Sequence, residues 1–146
     1  LDFAALGAAS QPPLTASDLA GITAAKLRLR VFGVSWRSGM TSILINNAAV
    51  GSLPVNEFPY VLWQDFSIDV PAQALKSIKL ENKVVVTVMT GTEPFKFKGL
   101  ALSVKFADGT WRNTDTAAGV QSAAGEWNFS EGETFKTRSK PAILKF

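Results

Sequence analysis

Short segments in which apolar and polar residues alternate are the feature that most constrains the fold of this chain. In "KLRLRVFGV" (26–34), Leu27, Leu29 and Val31 occupy every second position, and basic residues stand between them. A period of two places successive side chains on opposite faces of a β-strand, so this pattern is typical of a strand with one buried face. Similar segments are "TSILIN" (41–46), "LWQDFSIDV" (62–70), "KVVVTVM" (83–89) and "FKFKGLALSVKF" (95–106). Separated by turn residues, they predict an all-β fold, an antiparallel jelly-roll β-sandwich of about eight strands.

The segment 95–106 changes phase in its middle. Phe95 and Phe97 share one parity, whereas the apolar residues from Leu100 to Phe106 share the other. A β-bulge at Gly99 inserts one extra residue into the strand and returns both sets of side chains to the same face of the sheet. We therefore predict one long, bulged strand rather than two short ones.

Turn and helix signals are few. The pair Asp108-Gly109 predicts a tight turn after the bulged strand. One helical turn is predicted in "LTASDLAGITAAK" (14–26), with Ser17 as its N-cap, and another after Pro71, because the fixed φ of proline suits the first helical position. The chain 1–146 is predicted to form a single β-sandwich domain, with residues 1–16 as a surface extension.

The composition excludes several kinds of chemistry and partner. The 146 residues include no cysteine and no histidine, which removes disulfides, zinc sites and Ser-His-Asp or Cys-His catalysis. The net charge is only +3 and the basic residues are scattered, Lys26/Arg28/Arg30 and Lys96/Lys98 being the densest groups, so no nucleic-acid partner is expected. Uncharged apolar runs are far shorter than the ~20 residues of a spanning helix, so no membrane partner is expected either.

The order of the segments from Ala24 to Trp111 carries a resemblance to a known family. A strand ending in an Asn-rich turn, "ILINNAAVG", precedes "WQDFSIDVPAQALK", and an Asn precedes the Val-rich strand "NKVVVTV". In this order the chain resembles the galactose-binding-like jelly roll of many carbohydrate-binding modules and of accessory domains of glycoside hydrolases. The resemblance implies a jelly-roll fold and sugar binding. Some members also bind calcium through clustered acidic residues, and this chain has no dense acidic loop. No cofactor is therefore expected, and a structural Ca²⁺ is the one alternative left open.

Two turns contain the pair Trp-Arg, "SWRSG" (35–39) and "TWRNT" (110–114). A flat aromatic ring packs on the apolar C–H face of a sugar, and neighbouring planar polar groups orient the sugar hydroxyls. If each predicted strand crosses the sandwich once, the turns after the first and fifth strands leave it at the same end. The sequence then predicts a sugar site on one rim, formed by Trp36, Arg37, Asp108, Trp111, Arg112 and Asn113.

Other interpretations of these aromatic residues stay open. Each Trp of the two turns is also explained as a lid over one end of the core, with the neighbouring Arg above its ring, or as an anchor in a protein interface. Two further residues are candidates for ligand binding. Trp63 is placed by alternation on the face of Asp65 and Asp69, and Tyr60 lies in the longest predicted loop.

Catalysis is not expected. Asp65 and Asp69 are four residues apart on one strand, or about 13 Å, whereas paired glycosidase carboxylates lie about 5 to 9.5 Å apart. The expected function is recognition of a polysaccharide or glycan without its breakdown, by one module of a larger, secreted, multidomain protein. The alternative is a structural or interaction jelly roll, such as a virion or tail domain or a spacer in a larger enzyme.

Overall fold

Ten β-strands in two sheets make up most of the part of the chain that the structure describes. The computed structural model describes residues 12–35, 40–59, 61–90, 94–123 and 132–146. The strands are β1 (Ile22–Phe32), β2 (Met40–Ile45), β3 (Ala48–Gly51), β4 (Gln64–Asp69), β5 (Glu81–Thr90), β6 (Lys96–Phe106), β7 (Trp111–Asn113), β8 (Gln121–Ala123), β9 (Glu133–Phe135) and β10 (Ala142–Lys145). A short helix, α1 (Ala16–Leu19), precedes β1, and a 3-10 helix (Ala72–Ser77) lies between β4 and β5.

The first sheet has six strands and the second sheet has four. In the first sheet the order is β4–β1–β6–β8–β9, and β7 pairs with β6 as well; in the second sheet the order is β10–β5–β2–β3. Among the described strands every pairing is antiparallel except that of β8 with β9, which is parallel. The prediction of an all-β sandwich is confirmed, with ten strands in place of about eight and with one parallel pair.

The space between the sheets is filled by the apolar residues of the alternating segments. Leu27, Leu29 and Val31 of β1 and Ile43 and Ile45 of β2 are at most 2% exposed. They belong to one hydrophobic cluster to which both sheets contribute. Burying apolar surface stabilises a fold by about 25 cal/mol per Å², so the cluster holds the sheets together. In β1 the alternating polar side chains are left on the outside.

The bulge predicted in the middle of β6 is confirmed. Arg30 of β1 is opposite Lys98 of β6, but Arg28 is opposite Ala101, so β6 carries an extra residue over this interval. Gly99 adopts a φ of 67°, a left-handed conformation that glycine reaches without steric cost. The apolar side chains before and after the bulge consequently all face the core.

The structure contains a hairpin strand, β3, that the sequence analysis did not predict. Ile45 of β2 is opposite Ala48 of β3, so the loop between the strands is the two-residue segment Asn46-Asn47. Both residues have a positive φ, 49° and 70°, as the common two-residue hairpin turn requires, and Asn tolerates that conformation well. The predicted Asp108-Gly109 turn is present, with a φ of 87° at the glycine.

The helical segments differ from the predictions at their first residues. Thr15, not Ser17, is the N-cap of α1: its hydroxyl accepts from the Asp18 N–H at 3.2 Å, and the Asp18 carboxylate accepts from the Thr15 N–H at 2.8 Å. Pro71 stands one position before the 3-10 helix rather than at its first residue. Of the predicted extension 1–16, residues 12–16 are described, and Leu14 packs against the core.

Candidate functional site

Side chains at alternating positions of the first sheet point away from the core and form a surface that we call the outer face. The register of β4, β1 and β6 arranges them in cross-strand rows, which are Asp65–Arg30–Lys98, Ser67–Arg28–Ala101 and Asp69–Lys26–Ser103. One end of the outer face is completed by Trp63, Phe32 and Lys96, and the other end by Lys105 and Trp111. The basic residues of β1 and β6 and the tryptophan of β7 are thus on one side of the sheet.

The outer face is strongly basic. It carries six positive side chains, those of Lys26, Arg28, Arg30, Lys96, Lys98 and Lys105, and two negative ones, those of Asp65 and Asp69. Two ion pairs cross between strands: Arg30 Nε lies 2.8 Å from Asp65 Oδ1, and Lys26 Nζ lies 3.9 Å from Asp69 Oδ1. The positive excess of this one surface is therefore larger than the net charge of +3 of the whole chain.

Trp63 lies at one end of the outer face, immediately before β4. Three cationic groups surround its indole ring: Lys98 Nζ is 4.1 Å, Lys96 Nζ 5.4 Å and Arg30 Cζ 6.0 Å from the ring centroid. The negative face of an aromatic ring attracts cations, so the indole reduces the repulsion between three like charges. The ring also contacts Phe32, with centroids 5.6 Å apart. The predicted orientation of Trp63 toward the polar side of the sheet is confirmed.

The loop between β3 and β4, which leads into Trp63, is held by side-chain amides. Asn56 is 2% exposed; its Oδ1 accepts from the Val34 N–H at 2.8 Å, and its Nδ2 donates to the Leu62 carbonyl at 3.1 Å. The Gln64 amide bonds to both backbone groups of Glu57, accepting from its N–H at 2.7 Å and donating to its carbonyl at 3.1 Å. These contacts fix the residues on both sides of the tryptophan.

A shallow depression of about 590 Å³ lies on the outer face, and Arg30, which contacts the Trp63 ring, is one of the residues that line it. β6 lines it with Gly99 and Ala101, two small residues that leave the backbone accessible there. The polar groups around it are two guanidinium groups, one carboxylate and two hydroxyls, from Arg28, Arg30, Asp65, Ser67 and Thr116. A second depression, of about 560 Å³ between α1 and the 3-10 helix, is lined mainly by apolar residues, with the basic side chain of Lys76. The depression on the outer face brings five polar side chains together near a tryptophan, whereas the depression beside α1 has one basic side chain and no aromatic residue.

β7 places Trp111 and Asn113 at the far end of the outer face. Trp111 is opposite Lys105, and Asn113 is opposite Ser103. Lys105 Nζ lies 6.0 Å from the Trp111 ring centroid, and Ser103 Oγ donates to Asn113 Oδ1 at 2.6 Å. Trp111 is 41% exposed. Three of the predicted site residues, Trp63, Trp111 and Asn113, therefore share one face.

Arg112 does not join that face, and Asp108 lies in the turn between β6 and β7. Successive residues of a strand point to opposite sides, and the Arg112 guanidinium donates to the Pro12 carbonyl at 2.9 Å, away from the Trp111 ring. The Asp108 carboxylate accepts from the Thr110 hydroxyl at 2.7 Å and from the Thr110 N–H at 2.9 Å. These two hydrogen bonds hold the pKa of Asp108 below its usual range. Both side chains are thus engaged in local structure.

The expectation that the two Trp-Arg turns leave the sandwich at the same end is wrong. β1 and β6 are antiparallel, with Phe32 opposite Lys96 and Ile22 opposite Phe106, so the chain leaves these two strands at opposite ends of the sheet. The count of crossings failed because β3 was not predicted, and one extra strand reverses the direction of every later one. Outside the described residues lie three other predicted site residues, Trp36, Arg37 and Tyr60.

The basic residues of the outer face were not predicted to belong to a site. Lys26, Arg28 and Arg30 alternate along one strand and Lys96 and Lys98 along another, and each group alone is short. The antiparallel pairing of β1 with β6 places the two groups side by side. The sequence did contain a sign of this arrangement. The basic residues of β1 and β6 occupy the alternating positions that face outward, so they were bound to lie on the same face if the two strands pair.

Comparison with protein-family models, with curated proteins and with solved structures finds no match. Within the described ranges, no group of three or more acidic side chains comes together in a way that would hold a metal ion. No helix in those ranges is long and apolar enough to cross a membrane. The outer face is therefore the surface on which a functional proposal rests.

Proposed function

We propose that this domain binds a polysaccharide or glycan on its outer face without cleaving it. The observation that carries the proposal is the position of Trp63 beside the depression. Arg30 links the two, because its guanidinium lies 6.0 Å from the indole centroid and also lines the depression. An aromatic ring and a set of planar polar groups are thus adjacent on one exposed surface.

These groups match the two sides of a sugar ring. The apolar C–H face of a pyranose packs against an indole, and its hydroxyls both donate and accept hydrogen bonds. Around the depression, Arg28 and Arg30 donate, the Asp65 carboxylate accepts, and the Ser67 and Thr116 hydroxyls do both. Stacking on Trp63 supplies contact area, and the polar groups select the orientation of the sugar.

Stacking on Trp63 requires Lys98 to leave the ring. A cation–π contact at an exposed site stabilises by about 0.5–1 kcal/mol, so displacing the ammonium from its 4.1 Å position costs little. The lysine side chain is long and flexible. Once displaced, it is within reach of the same ligand and donates hydrogen bonds to it, which offsets that cost.

Trp111 extends the binding surface. It lies beside Lys105, and Trp63 lies beside Lys96 and Lys98, so the two indoles are separated by nearly the full length of β6. At ~3.3 Å per residue, and with the extra residue of the bulge left out, the distance along β6 to Lys105 is about 20 Å from Lys98 and about 26 Å from Lys96. A distance of that size suits an extended sugar chain lying across the outer face, and a single monosaccharide cannot contact both rings.

The test is affinity gel electrophoresis of the wild type and single variants against a panel of soluble polysaccharides. Trp63→Ala is expected to weaken binding about 30-fold, the effect of losing a central aromatic anchor. Trp111→Ala is expected to weaken binding to polysaccharides and to leave binding of a disaccharide unchanged. Phe58→Ala, an aromatic truncation in the β3–β4 loop, is the matched control and is expected to bind as the wild type does. Unchanged binding in Trp63→Ala would show that the outer face is not the site.

An interaction domain is the second candidate, and one observation favours it. The β3–β4 loop, although anchored by the buried Asn56, exposes four apolar side chains, those of Val55, Phe58, Val61 and Leu62, and Phe58 is 84% exposed. Contiguous exposed apolar surface marks interfaces. If a second copy of the chain covers this loop, light scattering gives the mass of a dimer for the wild type and that of a monomer for Phe58→Ser.

A further inference from the structure

We infer that the ligand of the outer face is an acidic polysaccharide, one whose sugar units carry carboxylates. This inference rests on the proposed function and adds the chemical class of the sugar. Its starting point is the positive excess of the outer face, which neutral sugar recognition does not need. Neutral sugars present hydroxyls, and their recognition calls for donors and acceptors in similar numbers.

The cations of the outer face are not all neutralised. Lys26 and Arg30 have Asp69 and Asp65 as ion-pair partners. Within the described part of the chain, Arg28, Lys98 and Lys105 face no carboxylate at ion-pair distance. Three positive charges on one surface thus lack a negative counterpart, and they repel one another until an anion binds.

These three cations are distributed along the path between the two indoles. Lys98 lies against Trp63, Arg28 lines the depression, and Lys105 lies against Trp111. Arg28 is opposite Ala101 in the register. From Lys98 to Ala101 is about 7 Å because of the bulge, and from Ala101 to Lys105 about 13 Å, at ~3.3 Å per residue. Separated positive groups of this kind match negative charges that recur along a polymer, whereas a single anion contacts one of them.

The chemistry of the groups favours an anionic group such as a carboxylate over the hydroxyls of a neutral sugar. Lysine and arginine only donate hydrogen bonds, and a carboxylate only accepts them, so each pairing satisfies both partners. Charge-assisted hydrogen bonds are roughly twice as strong as neutral ones. The flat C–H faces of a uronic acid remain available to stack on the indoles, which distinguishes this ligand from an acidic peptide. Lys98 then exchanges its contact with the Trp63 ring for one with the ligand carboxylate.

Calorimetric titration tests the inference with two matched probes, a galacturonic acid oligosaccharide and the corresponding galactose oligosaccharide. The wild type is expected to bind the acidic probe at least tenfold more tightly, because one charge-assisted hydrogen bond contributes about as much as that ratio. The preference is expected to shrink in 1 M salt, where the screening length falls to about 3 Å. A sulfated oligosaccharide distinguishes sulfate from carboxylate: weaker binding than the uronate supports the inference, and tighter binding overturns the carboxylate assignment.

Paired variants separate specific contacts from net charge. In Arg28→Gln/Lys98→Gln the preference for the acidic probe is expected to fall about tenfold or more. Lys79→Gln/Lys83→Gln also removes two positive charges, but beside the β2–β3 turn and away from the outer face. This variant is expected to change the preference less than twofold. Thermal unfolding confirms that both variants are folded. Equal loss in the two variants would overturn the inference, since net charge alone would then explain the binding.

The failure of the inference is distinguishable from the failure of the proposed function. Equal affinity for the acidic and neutral probes, with loss of both in Trp63→Ala, overturns the acidic preference and keeps sugar binding. No binding of any oligosaccharide overturns both. Aromatic and basic surfaces also bind single-stranded nucleic acid. A single-stranded oligonucleotide is therefore included, and tighter binding of it than of the uronate overturns the inference in favour of nucleic acid.

Discussion

Replacing Asn56 with alanine tests how the structure holds Trp63 in place. The Asn56 side chain makes three hydrogen bonds, with the Val34 N–H at 2.8 Å, the Val31 carbonyl at 3.0 Å and the Leu62 carbonyl at 3.1 Å. It thereby ties the end of β1 to the residue immediately before the tryptophan. Alanine removes all three bonds and leaves the Val34 N–H without its side-chain acceptor.

The magnitude follows from the number of bonds and their burial. Each buried hydrogen bond contributes about 0.5–1.5 kcal/mol net, and an abandoned buried donor costs about 1–3 kcal/mol. Asn56→Ala is therefore expected to lower the free energy of unfolding by about 2–4 kcal/mol. For a chain of this size the corresponding fall in Tm is roughly 5 to 15 °C.

Urea unfolding measures the loss of stability, and hydrogen exchange of the Val34 amide measures its cause. We expect faster exchange at Val34 in Asn56→Ala, because the amide loses its acceptor. Glu57→Ala is the matched control: its side chain is exposed in the same loop, and a change below about 0.5 kcal/mol is expected. A loss below 0.5 kcal/mol in Asn56→Ala, or an unchanged Val34 exchange rate, would refute the idea that this amide anchors the loop.

Three further substitutions have specific expected outcomes. Gly132→Ala is expected to prevent folding, because a Cβ there would clash with the Val120 carbonyl oxygen and because the φ of 79° disfavours alanine. A circular dichroism spectrum showing that the variant folds would contradict this. Gly99→Ala has space for its Cβ, so only the left-handed φ of 67° opposes it, and urea unfolding should show a loss of about 1–2 kcal/mol. The pKa of Asp108 is lowered in the folded state from the usual 3.8 by its hydrogen bonds to Thr110. Its ionised form therefore stabilises the fold. This contribution is fully present above about pH 4 and is lost as the pH falls through the lowered pKa. The wild type should consequently be more stable than Asp108→Asn at pH 6, and thermal unfolding should show this difference disappear toward pH 2; a constant difference would exclude the ionised carboxylate as its source.

The outer face illustrates which parts of a site alternation can predict and which it cannot. Alternation correctly oriented Trp63, yet it gave no information about its distance from Lys98. That distance is set by the pairing of both β4 and β6 with β1, which lies between them in the sheet. The expectation that the two Trp-Arg turns leave the sandwich at the same end was wrong for a related reason. Because the hairpin turn at Asn46-Asn47 was not predicted, the direction of every later strand was predicted wrongly. The chain therefore leaves β1 and β6 at opposite ends of the sheet, where the same end had been expected.

The sequence by itself determined which side of β1, β4 and β6 faces the core, where β6 bulges, and that cysteine and histidine chemistry is absent. These properties are local, because a side chain's orientation depends on its own strand and a left-handed turn on its own residues. Only the tertiary structure decided that Trp63 and Trp111 share a surface and that the cations of β1 and β6 form one basic face. Strand order and register are set by non-local hydrogen bonding and core packing, and a shift of one residue or one strand changes which side chains meet.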